Sequence, residues 1–206
     1  MEIVAWSAWV RGAALGLAVA APVGPIGVLC IRRTLNDGRL TGFISGLGAA
    51  TADAAYGASA AFGLTLVSSL LLGARLWVHL VGTLFLCYLG ARTALARPAT
   101  APARASAKGL ASAYASTMAL TLTSPATVIT FAIVFAGLGL VGGTPAVAAL
   151  TVLGVFTGSA LWWLALSTCV GLLRARFTPG AMRWVNRVSG VMLIGFGIVA
   201  LATAGR

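Results

Sequence analysis

Long apolar segments follow one another through almost the entire chain, and only short charged or turn-forming connections separate them. Hydrophobic residues make up 60% of the 206 residues and charged residues only 8%, which leaves too little polar surface for a soluble domain. A helix that crosses a bilayer needs about 20 mostly apolar residues, so the chain has room for about six of them. The sequence therefore predicts an all-α membrane protein embedded in a lipid bilayer.

Six membrane spans are predicted from the apolar runs between charges and turn formers. They lie at residues 8–31, 40–66, 76–96, 111–137, 146–172 and 184–203. The first apolar stretch runs on past residue 20 and is not followed by a small-residue cleavage site. It is therefore expected to be the first span and not a signal peptide.

The net charge of +11 is concentrated in alternate connections between the spans. Three connections carry three basic residues each: Arg32, Arg33 and Arg39 in the first, Arg97, Arg104 and Lys108 in the third, and Arg174, Arg176 and Arg183 in the fifth. Because basic connections stay in the cytoplasm, both termini are predicted to lie outside, in a bacterial inner membrane. Short clusters of this kind indicate membrane topology and argue against a nucleic-acid partner.

The third connection, residues 97–110, is rich in Pro and Ala and predicts a mobile cytoplasmic linker. It divides the chain into two three-helix repeats, residues 1–96 and 111–206. An odd number of spans in each repeat places the repeats in opposite orientations. This is the architecture of transporters that are built from inverted repeats and bind their solute near the midplane.

Each repeat carries a predicted helix break in its first span. Gly24 and Pro25 break the first span, Ser124 and Pro125 break the fourth, and in both a capping residue precedes a proline suited to the first helical position. At 1.5 Å per residue, both prolines are expected near mid-depth. The half-helix N-termini would attract an anion such as a substrate carboxylate, whereas the alternative is a pair of kinks that only shapes packing.

Asp53 lies at the centre of the second predicted span, where an aspartate costs about 3 kcal/mol on insertion scales. It is therefore expected to face a cavity or the interior of the bundle. Two functions are open to it, binding a substrate ammonium group and carrying a coupling proton, and a neutral acid that joins two helices is the structural alternative. Trp162 and Trp163 lie at a similar depth of the fifth span, where each either lines a cavity or packs in the core.

Other kinds of chemistry find little support in the sequence. Three single cysteines lack metal-ligand spacing, and neither an HExxH motif nor paired intramembrane carboxylates indicate an enzyme. We therefore expect no metal site, no cofactor and no catalytic residue. A metal-ion exporter, which needs more ligands, and a passive channel remain alternatives to a coupled carrier.

The ordered set Gly24-Pro25, Asp53, Ser124-Pro125 and Ser159 to Trp162 resembles the lysine exporter and homoserine-threonine resistance family of amino-acid exporters. The resemblance implies a secondary active, proton-coupled exporter of an amino acid or related metabolite that works by alternating access as a homodimer. It implies substrate binding at Gly24, Pro25, Asp53, Ser124, Pro125 and Trp162. The family usually has Asn at the positions of Ile26 and Ser124, which implies a less polar or differently shaped solute.

Overall fold

The computed structural model describes residues 2–22, 24–61, 80, 83–84, 87–88, 90–92, 94–95, 106–124, 127, 131, 144–174 and 178–203. Its longer helices are α1 (Glu2–Ala20), α2 (Pro25–Asp37), α3 (Arg39–Ala61), α4 (Ala107–Leu122), α5 (Pro145–Leu173) and α6 (Pro179–Thr203). Among the described residues there is no strand, so the prediction of an all-α protein is confirmed. Most of the third predicted span lies outside the described residues.

The first predicted span consists of two helices with a sharp bend between them. α1 ends at Ala20, and α2 begins at Pro25 after an extended N-cap at Gly24. Proline is tolerated there because an N–H group in the first turn of a helix has no intrahelical acceptor, so its absence costs no hydrogen bond. The axes of the two helices differ in direction by 81°.

The end of α2 differs from the expected end of the first span at residue 31. α2 continues through the basic residues to Asp37, and a single residue, Gly38, separates it from α3. Gly38 has a φ of 97°, which glycine adopts without the strain of a side chain, and its amide donates to the Thr34 carbonyl at 3.2 Å. The first connection is therefore mostly helix.

One helix among the described residues, Pro145–Leu173, is long and apolar enough to cross a membrane by itself. Trp6–Ala20 and Pro25–Asp37 pass the same test as a pair and count as a second span if the bent pair is one segment. Length and composition alone support these two assignments.

α1 packs along α5 through glycines that repeat at four-residue spacing. The glycines at this crossing are Gly12 and Gly16 on α1 and Gly154 and Gly158 on α5. A Cβ atom added at any of them would collide with backbone atoms of the opposite helix. The two backbones therefore approach closely, as pairs of small residues allow in membrane helices.

α3 packs against both α4 and α5 and also contacts α2. Gly48 lies against the backbone of Tyr114 on α4, and Gly46 lies against the Trp163 side chain on α5. The Tyr114 hydroxyl group donates to Thr51 Oγ1 at 2.8 Å. This central position of α3 encloses the Asp53 side chain, which is only 4% exposed.

Candidate functional site

A cavity of about 240 Å³ lies where the break between α1 and α2 meets α3, the end of α4 and α5. Its lining consists of Ala18, Val19, Ala20, Pro22, Gly24, Pro25, Ile26, Gly27, Ala49, Asp53, Thr121, Ser124, Thr127 and Trp163. The volume is just below the range of roughly 300–1,000 Å³ that is typical of sites for drug-sized ligands. The cavity therefore suits a smaller metabolite.

The cavity brings together four of the six residues that sequence reasoning selected as a site. Gly24, Pro25, Asp53 and Ser124 all belong to its lining. Pro125 lies outside the described residues. The lining holds Trp163 in place of Trp162, which is half-buried and packs behind it against the cluster around Ala20 and Ala49.

The N-terminus of α2 forms one wall of the cavity. The Val28 amide donates to the Gly24 carbonyl at 3.0 Å and is the first amide in the hydrogen-bond ladder of the helix. The amides of Ile26 and Gly27 precede this ladder and lack intrahelical acceptors, and both residues line the cavity. The wall is therefore electropositive and suits an anionic group.

Gly24 leaves this helix N-terminus uncovered. Its φ of −115° is an extended conformation that any residue adopts, and an added Cβ would meet nothing within 4 Å. Gly24 also supplies no side-chain cap to α2. The missing side chain thus relieves neither strain nor crowding, and its effect is to leave access to the first turn of α2.

Asp53 lies on the wall formed by α3, beside α5. Its Oδ2 atom accepts a hydrogen bond from Ser159 Oγ at 2.8 Å, and Ser159 Oγ accepts one from Trp163 Nε1 at 3.2 Å. Ser159 and Trp163 are four residues apart, so they share one face of α5. Among the hydrogen bonds of the described residues, the carboxyl group has a neutral donor and no Lys or Arg partner.

The third wall is the chain segment that follows α4. The Ser124 amide donates to the Thr121 carbonyl, the Thr127 amide donates to the Ser124 carbonyl, and both distances are 3.1 Å. The chain therefore turns at Ser124 and is helical again at Thr127. The Tyr56 hydroxyl group donates to the Leu122 carbonyl at 2.6 Å and satisfies one acceptor that the end of α4 leaves free.

The polar groups around the cavity are one carboxyl group, three hydroxyl groups and the first amides of α2. Most of the remaining lining is apolar, from Ala, Val, Pro, Ile and Trp side chains. Within the described residues, no three His, Cys, Asp or Glu side chains are grouped so that they could hold a metal ion. The arrangement offers an acid on one side and amide donors on another.

A comparison with known protein families identifies the family of this chain. The family model of the LysE type translocator matches residues 17–204, which include every described residue of the cavity lining. No curated protein and no solved structure matches the chain significantly. The chain belongs to the LysE type translocator family, and it is therefore a multi-pass membrane protein that exports small solutes and not an enzyme.

Proposed function

We propose that the protein is a secondary active exporter of an amino acid or a related small metabolite, coupled to protons and working by alternating access. The observation that carries the proposal is the composition of the cavity walls. The N-terminus of α2 and the Asp53 carboxyl group line the same cavity of about 240 Å³. This pair complements a zwitterion, because helix N-termini attract carboxylates and a carboxylate attracts an ammonium group.

In this proposal the solute carboxylate binds near the amides of Ile26 and Gly27, and its ammonium group binds near Asp53. Gly24 and Pro25 shape the site of the carboxylate, and Ser124 with Pro125 contributes to the same site from the fourth span. The apolar part of the lining favours a small side chain without charge. Trp163 contacts the solute, and Trp162 supports it from behind.

The packing of the helices supports an inverted repeat of residues 1–96 and 111–206. α1, the first half of span one, packs on α5, which is span five. α4, the first half of span four, packs on α3, which is span two. Exchanging the two repeats converts one pair into the other, as an inverted repeat requires. We propose that both termini lie on the outer side of the inner membrane. We also expect the protein to be a homodimer.

Coupling follows if one carboxyl group serves both the solute and the proton. A protonated Asp53 carboxyl group is neutral, so it no longer attracts the ammonium group of the solute. Binding of a proton from outside then releases the solute there, and loss of that proton inside prepares the site for the next solute. Rocking of the two repeats about the cavity alternates its access between the two sides.

Transport in proteoliposomes tests this function. With L-valine as the probe and an imposed pH gradient, we expect accumulation above the external concentration, because proton flux does the work. An uncoupler should abolish the accumulation, and empty liposomes provide the control. Equilibration without accumulation would identify a passive channel and contradict the proposal. A panel of other L-amino acids identifies the preferred side chain.

A further inference from the structure

Arg33 on α2 is held by four neutral acceptors on two other helices. Its Nη1 atom lies 3.0 Å from Ser45 Oγ, 2.9 Å from the Ala113 carbonyl oxygen and 2.7 Å from Thr117 Oγ1, and its Nη2 donates to Ser116 Oγ at 2.7 Å. Ser45 and Thr117 are themselves fully buried. The guanidinium group is therefore partly buried and joins α3 to α4.

The hydroxyl groups around Arg33 are oriented to accept. Each one donates its own hydrogen to a carbonyl group one turn earlier in its helix: Ser45 to Thr41, Ser116 to Ser112 and Thr117 to Ala113. A hydroxyl group has one hydrogen, so only acceptor lone pairs remain for the guanidinium group. The cluster is therefore built to hold a cation, and it contains no anion.

The Arg33 cluster lies one helical turn beyond the cavity. On α3, Ser45, Ala49 and Asp53 follow at four-residue spacing and share a face, and the last two line the cavity. On α4, Thr117 precedes the cavity residue Thr121 by the same interval. Four residues of helix are about 6 Å long, so Ser45 and Thr117, two acceptors of Arg33, lie about that far along their helices from the cavity residues Ala49 and Thr121.

No carboxylate neutralises Arg33 by a direct hydrogen bond among the described residues. The whole chain has three acidic residues. Asp53 is engaged by Ser159, and Glu2 is the first residue of α1. Asp37 is one turn further along α2 and attracts Arg33 at a distance but accepts none of its hydrogen bonds. A partly buried cation whose hydrogen-bond partners are all neutral retains an attraction for an anion.

We infer that Arg33 is a second anion-binding site, at the cytoplasmic entrance, which receives the carboxylate of the solute before the solute reaches the cavity. This inference rests on the proposed function. Neutral acceptors suit such a role because a carboxylate can displace them. It forms charge-assisted, bidentate hydrogen bonds with a guanidinium group, and these are stronger than the bonds to hydroxyl groups. Release of Ser45 and Thr117 also removes one of the links between α3 and α4.

The test compares transport of L-valine with that of L-valinamide, which keeps the ammonium group and lacks the carboxylate. The wild-type protein should transport L-valine, the compound with the carboxylate, faster than L-valinamide. In Arg33→Gln the preference for the acid should fall by about tenfold or more, because a charge-assisted bond is lost. Arg33→Lys keeps the positive charge and loses the planar guanidinium group, so it should retain part of the preference for L-valine.

Two further variants separate solute binding from a structural role. Lys108→Gln removes an exposed cation from the first turn of α4 and should leave the preference unchanged. Thr117→Ala removes one acceptor of Arg33 and keeps the cation, so the preference should persist even if the protein becomes less stable. A role in joining α3 to α4 would instead lower the transport of acid and amide equally in Thr117→Ala and Arg33→Gln.

The outcomes distinguish this inference from the proposed function. If the wild type accumulates neither L-valine nor any other amino acid of the panel against a gradient, the proposed function fails, and the inference fails with it. If the wild type carries L-valine and Arg33→Gln keeps the full preference for the acid, only the inference is overturned. A wild type that carries both compounds equally overturns the inference and also the binding of the solute carboxylate at the N-terminus of α2.

Discussion

Asp53→Asn is expected to lower gradient-driven transport of L-valine by about a hundredfold, which corresponds to the loss of roughly 3 kcal/mol of charge-assisted binding. The amide keeps the size of the side chain and still accepts a hydrogen bond from Ser159. It cannot carry a proton, and it lacks the negative charge that holds an ammonium group. Uptake into proteoliposomes under an imposed pH gradient measures the effect.

Ser159→Ala is the matched control for Asp53→Asn. It removes the hydroxyl group that donates to Asp53 at 2.8 Å and leaves the acid in place. Loss of a hydrogen bond to a charged group costs about 1.5–3 kcal/mol, and water in the cavity replaces part of it. We therefore expect a smaller loss of transport than in Asp53→Asn. A folded Asp53→Asn protein that accumulates L-valine at the wild-type rate would exclude Asp53 from the mechanism.

Gly158→Leu is expected to destabilise the protein by about 1–3 kcal/mol or more, and to lower the yield of folded protein. A Cβ at Gly158 would collide with the Ala13 backbone, so α1 and α5 must separate to admit a side chain. Packing of small residues is a main source of association between membrane helices, because lipid provides no hydrophobic driving force between them. Thermal unfolding of the purified protein in detergent measures the change.

Gly195→Leu provides the comparison for this substitution. Gly195 lies within α6, and an added Cβ there would meet no atom within 4 Å. The same gain in side-chain volume should therefore leave the unfolding temperature within a few degrees of the wild-type value. An equal loss of stability in both variants would show that the effect is not specific to the crossing of α1 and α5.

The sequence marks some residues of the candidate site because they are chemically out of place. An acid within an apolar run and a proline after a capping residue are visible without any knowledge of packing, and this identified Asp53, Gly24, Pro25 and Ser124. The structure places all four around one cavity. The all-α class followed in the same way from the amount of apolar sequence.

The sequence could not show whether Trp162 or Trp163 lines the cavity, because this depends on how α5 is rotated about its axis. Adjacent residues on a helix point about 100° apart. The side of a helix that faces inward is normally inferred from the distribution of polar residues around the helix. α5 has no charged residue on any side, so its pattern carries only a weak signal. Ser159 offered a clue, since it is four residues from Trp163 and shares its face.

Arg33 was missed for a different reason. A pair of arginines after an apolar run is typical of the cytoplasmic end of a span, and the first connection was predicted to begin there. In the structure α2 continues to Asp37, and this places Arg33 on a helical face against Ser45 and Thr117. The acceptors come from α3 and α4, and the sequence alone does not show which helices pack together.

The most direct test of the central claim is whether the solute occupies the cavity beside the breaks. In a variant without Cys30, Cys87 and Cys169, Ser124→Cys should react with a membrane-impermeant thiol reagent, and saturating L-valine should protect it. Thr123→Cys, at the neighbouring residue outside the cavity lining, should gain no protection. Protection of Ser124→Cys alone is the expected result. A cysteine at residue 124 that reacts at the same rate with and without every transported amino acid would contradict the claim.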